Sequence, residues 1–335
     1  MYRDPSNPMV YDLVGRNLFS MLLHFGYDGK YAKKIDDCLQ KAGLLTLNMQ
    51  SVSGEIPYGG RSNQFLHNEA DLTTVLEYEA SRYAKEGNTL LAGRFKAAAE
   101  KALANVELWL NKENISHVKN SYPIDSGYGC EGYAYFDKYM ITTASFLYQA
   151  YFLCDDSITP KEEERRVMFS LSHHFHKTFM RNKNWFVQID TDADRNYEIS
   201  GIGRIHKKGA PSPICLSTPG TKTPAYKVDI ENPVDFAIAP GIMHDSEIEL
   251  VNRYEVYSQT DQEATLLGKF DRISKTTETK CTLTDECVTV RTCSDGIVFL
   301  MCPAFEFDGE EYTKICHDEN VLEICYTNQS IIVLT

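Results

Sequence analysis

Met180-Arg-Asn-Lys-Asn-Trp-Phe-Val-Gln-Ile189 is where the chain changes period. Before this stretch, apolar side chains recur every three to four residues, the signature of helices with one buried face. Leu13, Leu18, Met21, Leu22 and Phe25 predict a helix over about 9–25, and Tyr31, Ile35, Cys38, Leu39 and Leu44 a second over about 29–47. Leu72, Leu76 and Tyr83 mark a third over about 66–86, and Leu91, Phe95, Ala99, Leu103, Val106 and Leu110 a fourth over about 88–112. A fifth is expected over about 132–153 and a sixth over about 160–178, giving roughly three helical hairpins. Gly87-Asn88, and Asp156-Ser157 with Pro160, supply stop and start signals.

After the change the runs are short and alternating. Trp185–Ile189, Tyr197–Ile205, Glu247–Tyr257, Ala264–Phe270, Cys287–Arg291, Ile297–Cys302 and Ile331–Leu334 read as strands. Asp190–Asn196 and Ser294-Asp-Gly296 read as turns between them. Helices first and strands second mean an α+β multidomain chain, with a helical domain over 1–180 and an antiparallel β domain over 181–335. Charge divides the same way. Residues 1–180 carry 19 basic and 22 acidic side chains, and 181–335 carry 15 and 25. The acidity of the whole 335-residue chain, −13, therefore sits mostly in the strand half.

That acidity argues against binding a phosphate backbone, which needs clustered Lys and Arg, so no nucleic-acid partner is expected. No run approaches the roughly 18 apolar residues of a membrane span, so no membrane partner is expected either. The polar start Met1-Tyr-Arg-Asp-Pro-Ser-Asn-Pro8 has no secretory pattern, which predicts a cytoplasmic chain or one that starts inside a longer one. The ten cysteines form no C-x-x-C pair and no zinc spacing, and read as buried thiols. Asp190-Thr-Asp-Ala-Asp-Arg-Asn196 imitates a calcium loop but places Arg195 where glycine is required. Ser172-His-His-Phe-His176 lacks a carboxylate at matching spacing. Neither a metal nor an organic cofactor is expected.

Two loops are rich in groups that bind or move protons. Ser53-Gly-Glu-Ile-Pro-Tyr-Gly-Gly-Arg-Ser-Asn-Gln-Phe-Leu-His-Asn-Glu69 joins the second and third helices over about eighteen residues, where a plain connector needs about two to eight. Its candidates are Glu55, Tyr58, Arg61, Asn63, Gln64, His67, Asn68 and Glu69, although Arg61, Asn63 and Asn68 would equally serve to bond the loop's own backbone. Asp125-Ser-Gly-Tyr-Gly-Cys-Glu-Gly-Tyr-Ala-Tyr-Phe-Asp-Lys-Tyr139 leads into the fifth helix. Seven of the 20 tyrosines lie between Tyr122 and Tyr151. Tyr135 and Tyr139 share a helical face and Tyr128 precedes them, an aromatic surface suited to the C–H faces of sugar rings or to a core. Both loops precede odd-numbered helices. In an up-down array such helices begin at one end, so the two loops should meet on one rim. A third cluster, Gly201-Ile-Gly-Arg-Ile-His-Lys-Lys208, places Arg204 and His206 where they would bind a carboxylate or decorate a hairpin.

On Gly54-Glu-Ile-Pro-Tyr-Gly-Gly-Arg-Ser-Asn-Gln-Phe65 and Gly127-Tyr-Gly-Cys-Glu-Gly-Tyr-Ala-Tyr-Phe-Asp-Lys-Tyr139, the chain resembles carbohydrate-active enzymes built from a helical toroid and a β-sandwich. These include the heparinase II/III-like polysaccharide lyases and related (α/α) glycosidases. The resemblance implies an α/α toroid followed by an antiparallel sandwich, with a poly- or oligosaccharide bound at the toroid rim. By hairpin count the helical half is an incomplete toroid, about three hairpins against about six. In a lyase, Tyr58 or Tyr139 would act as base or acid and His67 as an alternative base, while Arg61, Asn63 and Gln64 would neutralise a uronate carboxylate. Asn68, Tyr128, Tyr135, Arg204 and His206 would add substrate contacts. A glycosidase would instead draw a carboxyl pair from Glu55, Glu69, Asp125, Glu131 and Asp137, with Glu55 and Asp125 or Asp137 favoured. A non-catalytic glycan-binding module, or a fragment of a longer enzyme, is the third possibility.

Overall fold

The computed structural model describes residues 1, 4–5, 8–63, 65–111, 130–133, 136–171, 173–198, 200–209, 225, 239–244, 246–294, 298–301, 314–318, 321–325 and 331–334. Five helices come first: α1 Met9–His24, α2 Ala32–Met49, α3 His67–Lys85, α4 Thr89–Leu110 and α5 Phe136–Leu153. Fourteen described strands follow, and every pairing among them is antiparallel. The chain is therefore α+β. It divides into two compact units, one of Met1–Arg165 with His173–Phe175 and Ala225–Glu231, the other of Arg166–Ser172, His176–Pro224 and Asn232–Thr335.

In the helical unit α3 is the central element. Ala70, Leu72, Val75, Leu76, Ala80 and Tyr83 are buried on several of its faces. Its apolar partners are Leu13 of α1, Leu47 of α2, and Ala92, Phe95, Ala98, Ala99 and Ala102 of α4. The small alanines let α4 approach closely, and Tyr83 stacks on Phe95 at 5.4 Å between ring centres. Between α3 and α4, Gly87 takes φ +78°, and the Asn88 side chain accepts from the Leu91 amide, capping the new helix.

A buried polar network also crosses this core. Arg16 pairs with Asp12 at 3.0 Å and donates to the Thr46 hydroxyl at 2.6 Å. Asn17 donates to Asp71 at 2.8 Å. Arg82 bridges Glu79 at 3.0 Å and Asp36 at 2.5 Å. Burial lifts both Asp71 and Glu79 to about 7, even with Arg82 beside Glu79.

The Asp71 shift makes a pH prediction. An unfolded aspartate titrates near 3.9, so between about 4 and 7 the folded chain keeps a proton that the unfolded chain releases. Stability from this group is full below about 4 and is lost as pH rises towards 7. Asp71→Asn removes that loss. Its stability relative to wild type should rise by up to about 1.4 kcal/mol per pH unit across that window and level off above it. Urea unfolding followed by helical circular dichroism at pH 5, 6, 7 and 8 checks this; parallel curves for the two proteins would contradict it.

The predicted sixth helix over 160–178 is corrected. Residues 161–166 are irregular, and Val167–Ser170 forms strand β1, paired with β2, Lys177–Arg181, in the register Val167↔Arg181 to Ser170↔Thr178. Two short runs of four and five residues carry too little periodicity to separate helix from strand, and their pairing decides. With β3 (Trp185–Asp190) and β4 (Gly201–Lys207) they make one four-stranded sheet, ordered β1-β2-β3-β4. Two Asx turns open the connection from Asp190 towards Gly201, the Asp190 and Asp194 carboxylates accepting from the Asp192 and Asn196 amides.

The remaining strands are β5 Ala239–His244, β6 Glu247–Leu250, β7 Arg253–Gln259, β8 Glu263–Lys269, β9 Thr276–Leu283, β10 Val288–Ser294, β11 Val298–Met301, β12 Lys314–Asp318, β13 Val321–Cys325 and β14 Ile331–Leu334. They form sheets ordered β10-β9-β8-β7, β11-β5-β6 and β12-β13-β14. The strand expected over Glu247–Tyr257 is two, β6 and β7, which lie in different sheets. Along β9, buried and more exposed residues alternate, the period of a strand with one covered face. Met180, Val187, Ile189 and Ile202 from the first sheet join Tyr254, Ala264, Leu266, Cys281 and Leu283 from the second in one apolar core.

Candidate functional site

The long loop after α2 is built into the helical unit rather than laid over it. Gln50 donates to the carbonyls of Gly54 and Ala98, at 3.1 and 2.8 Å, and Asn105 of α4 donates to the Ser53 carbonyl at 2.9 Å. Gly54 sits at φ +88°, where a Cβ would stand 2.4 Å from the Lys101 carbonyl oxygen. Both the backbone conformation and the space therefore require glycine. Gly54→Ala should cost about 2–4 kcal/mol in urea unfolding. Gly87→Ala, at φ +78° with open space around it, should cost only about 1–2 kcal/mol. Equal losses at both positions would contradict the close approach.

The rest of the loop is fastened in the same way. The Met9 amide donates to the Gly59 carbonyl at 3.0 Å, and the Ile56 amide to Glu69 at 3.3 Å. Asn63 spends its amide on the Gly60 carbonyl, and Asn68 donates to the Ser62 carbonyl at 2.9 Å. Arg61 forms an ion pair with Asp4 at 2.6 Å and lies over the Tyr11 ring at 4.9 Å. Glu55 and Tyr58 are almost wholly buried. Asn63 and Asn68, placed by the sequence among substrate contacts, thus hold backbone carbonyls of their own loop.

The two loops meet at Ser62. Its amide donates to Glu131 Oε1 at 2.6 Å, and its hydroxyl lies 2.8 Å from the Tyr133 hydroxyl and 3.3 Å from that of Tyr11. Ser62 holds φ +64°, a costly conformation for a non-glycine residue, and this turns its amide and side chain toward the second loop. The helices agree with this. Thr74 of α3 donates to the Phe146 carbonyl of α5, and Ser81 to the Leu153 carbonyl, a constant offset that makes α3 and α5 parallel. Tyr11 near the start of α1, His67 at the start of α3 and Tyr139 near the start of α5 consequently stand at one end of the unit.

Beside Ser62 the rings of Phe65, His67 and Tyr139 lie nearly parallel. Tyr139 is 4.2 Å from Phe65 and 5.0 Å from His67 between centres. Burial pushes the His67 imidazole down to about 4, so it is neutral near pH 7, and its Nδ1 has no hydrogen-bond partner. Burial first, then the neighbouring Tyr11 and Glu131, pushes the Tyr139 phenol up to about 12. Burial likewise raises the Tyr133 phenol. Glu131 is buried, and its second oxygen, Oε2, has no hydrogen-bond partner. The junction thus holds a neutral imidazole, protonated phenols, a carboxyl group and a guanidinium, a set able to accept and donate protons.

Gln64, Asp125, Tyr128 and Tyr135 lie outside the described residues, and Asp137 falls in the first turn of α5 with its side chain outside them. Arg204 and His206 belong to β4 in the other unit and are both buried there, His206 at 5.7 Å from Phe186 between ring centres. Sequence reasoning missed Tyr11, Ser62 and Tyr133, and named Glu131 only among the carboxyls available to a glycosidase pair. The tyrosine-rich second loop is the one local signal for Tyr133. Among the described residues no group of three His, Cys, Asp or Glu side chains is placed to hold a metal ion, and no helix is long and apolar enough to cross a membrane. No protein-family model and no curated protein matches the chain.

Proposed function

We propose that the chain acts on a uronate-containing poly- or oligosaccharide by β-elimination at the junction of the two loops. One observation carries this: neutral His67 and protonated Tyr139 stack at 5.0 Å on the side of Ser62 where both loops converge. In this scheme His67 takes the proton beside the uronate carboxylate. The electron pair forms the new C–C double bond, the bond to the glycosidic oxygen breaks, and the Tyr139 hydroxyl gives its proton to that oxygen. Arg61, which pairs with Asp4 through Nη2 and keeps an Nε without a hydrogen-bond partner, receives the carboxylate and stabilises the developing carbanion. Tyr133, partly exposed at the same junction, offers a stacking face for a sugar ring. The fold belonging to this proposal is a partial α/α toroid of the five helices and a β-sandwich formed by the sheets that share the apolar core.

One observation favours a hydrolytic second reading: Glu131 keeps an oxygen without a hydrogen-bond partner. There Glu131 would work with a second carboxyl, Glu55 being the buried one in the same loop system. Mass analysis of products from a panel of uronate oligosaccharides separates the readings. Elimination gives fragments whose masses add up to the substrate, hydrolysis gives fragments heavier by one water, and a binding module gives binding with no fragments. Glu131→Gln should leave elimination within about threefold and abolish hydrolysis.

A further inference from the structure

The helical unit carries an uncharged apolar face unrelated to the loop junction. Leu18 and Leu22 follow one another at helical spacing along α1, with Phe25 at its C-cap, and Ile141, Tyr148 and Phe152 do so along α5. Leu18 is 69% exposed, Phe25 71%, Ile141 73% and Tyr148 71%. The two stripes meet at the C-terminal ends of the helices, where Phe152 stands 5.1 Å from the His24 ring and 6.2 Å from the Phe25 ring. From Tyr139 to Leu153 the α5 sequence has no charged residue, and the one charge of α1 between Leu13 and Leu23, Arg16, is buried in the core network.

We infer that this face joins two copies of the chain. Three observations select a second copy. The exposed parts of these side chains, with Phe19 and Tyr151 at the margins, amount to roughly 1,000 Å² per copy, above the roughly 800 Å² per partner of a stable interface. The surface mixes protruding side chains with the small residues Gly15, Ala144 and Ser145, so one copy offers both the knobs and the hollows that a two-fold contact requires. A chain of net charge −13 repels its own copies over most of its surface, and an uncharged face removes that penalty where two copies touch. The inference does not depend on the proposed activity.

Light scattering on the eluting full chain tests it. Wild type should run at twice the 38.1 kDa chain mass at micromolar concentration. Leu18→Glu combined with Tyr148→Glu should raise the dimer dissociation constant at least about 100-fold, giving monomers with an unchanged helical spectrum. Leu108→Glu, on an exposed position of α4, should leave the dimer intact. A wild type that stays monomeric overturns the inference and assigns the face to another occupant. A dimer that survives the double substitution, or is broken by Leu108→Glu, overturns it as well.

Discussion

Tyr139→Phe should lower turnover of a uronate-containing oligosaccharide by about 10²–10⁴-fold, the range for loss of a positioned proton donor. The substitution removes one oxygen and keeps the ring that stacks on Phe65 and His67 at 4.2 and 5.0 Å. The fold and substrate affinity should therefore change little, and the loss should fall on kcat rather than KM. His67→Gln should produce a loss of the same order, because an amide cannot take the substrate proton. If the two residues act as one proton-transfer pair, the double variant should be little worse than either single one. Activity surviving in both single variants would remove the eliminative scheme. The acid-side pH profile gives a second check. His67 titrates near 4 in the folded chain, so its base form persists well below the pH at which an ordinary histidine protonates.

The second large effect is on stability, in the strand unit. Lys177 opens β2 and is fully covered; it bonds Asp190, its partner in the β2–β3 register, and Glu198 at 2.9 Å. Burial pushes its ammonium down, opposed by Glu198. Lys177→Met should cost about 3–5 kcal/mol, because two carboxylates then stay buried without their cation. Placing the same substitution in an Asp190→Asn, Glu198→Gln background should recover at least half of that loss. Denaturant unfolding followed by tryptophan fluorescence reads this, since Trp185 lies in the same sheet. A cost below about 1 kcal/mol would contradict the burial of this triad.

The helices were legible because their stripes are long. Leu72, Leu76 and Tyr83, and Leu91 to Leu110, fix α3 and α4 to within two residues at either end. The hairpin β1–β2 was not legible. Val167-Met-Phe-Ser170 is too short to display a period, and every residue of Lys177–Arg181 is buried, so no alternation survives. The convergence of the two loops was legible from helix parity alone. Its contacts were not, because the Ser62–Glu131 bond spans 69 positions and depends on a left-handed serine that no local pattern announces. The roles of Asn63 and Asn68 were hidden for a related reason. An amide in a loop serves a ligand or its own backbone equally well, and the course of the Gly60–Ser62 backbone decides.

The most direct test follows ultraviolet absorbance while wild type is incubated with a uronate-containing polymer. An unsaturated product should accumulate in step with chain cleavage, one double bond per new end, and Tyr139→Phe should suppress both together. Cleavage without ultraviolet absorbance, or absorbance unchanged in Tyr139→Phe, would contradict elimination at the junction where Ser62 brings the two loops together.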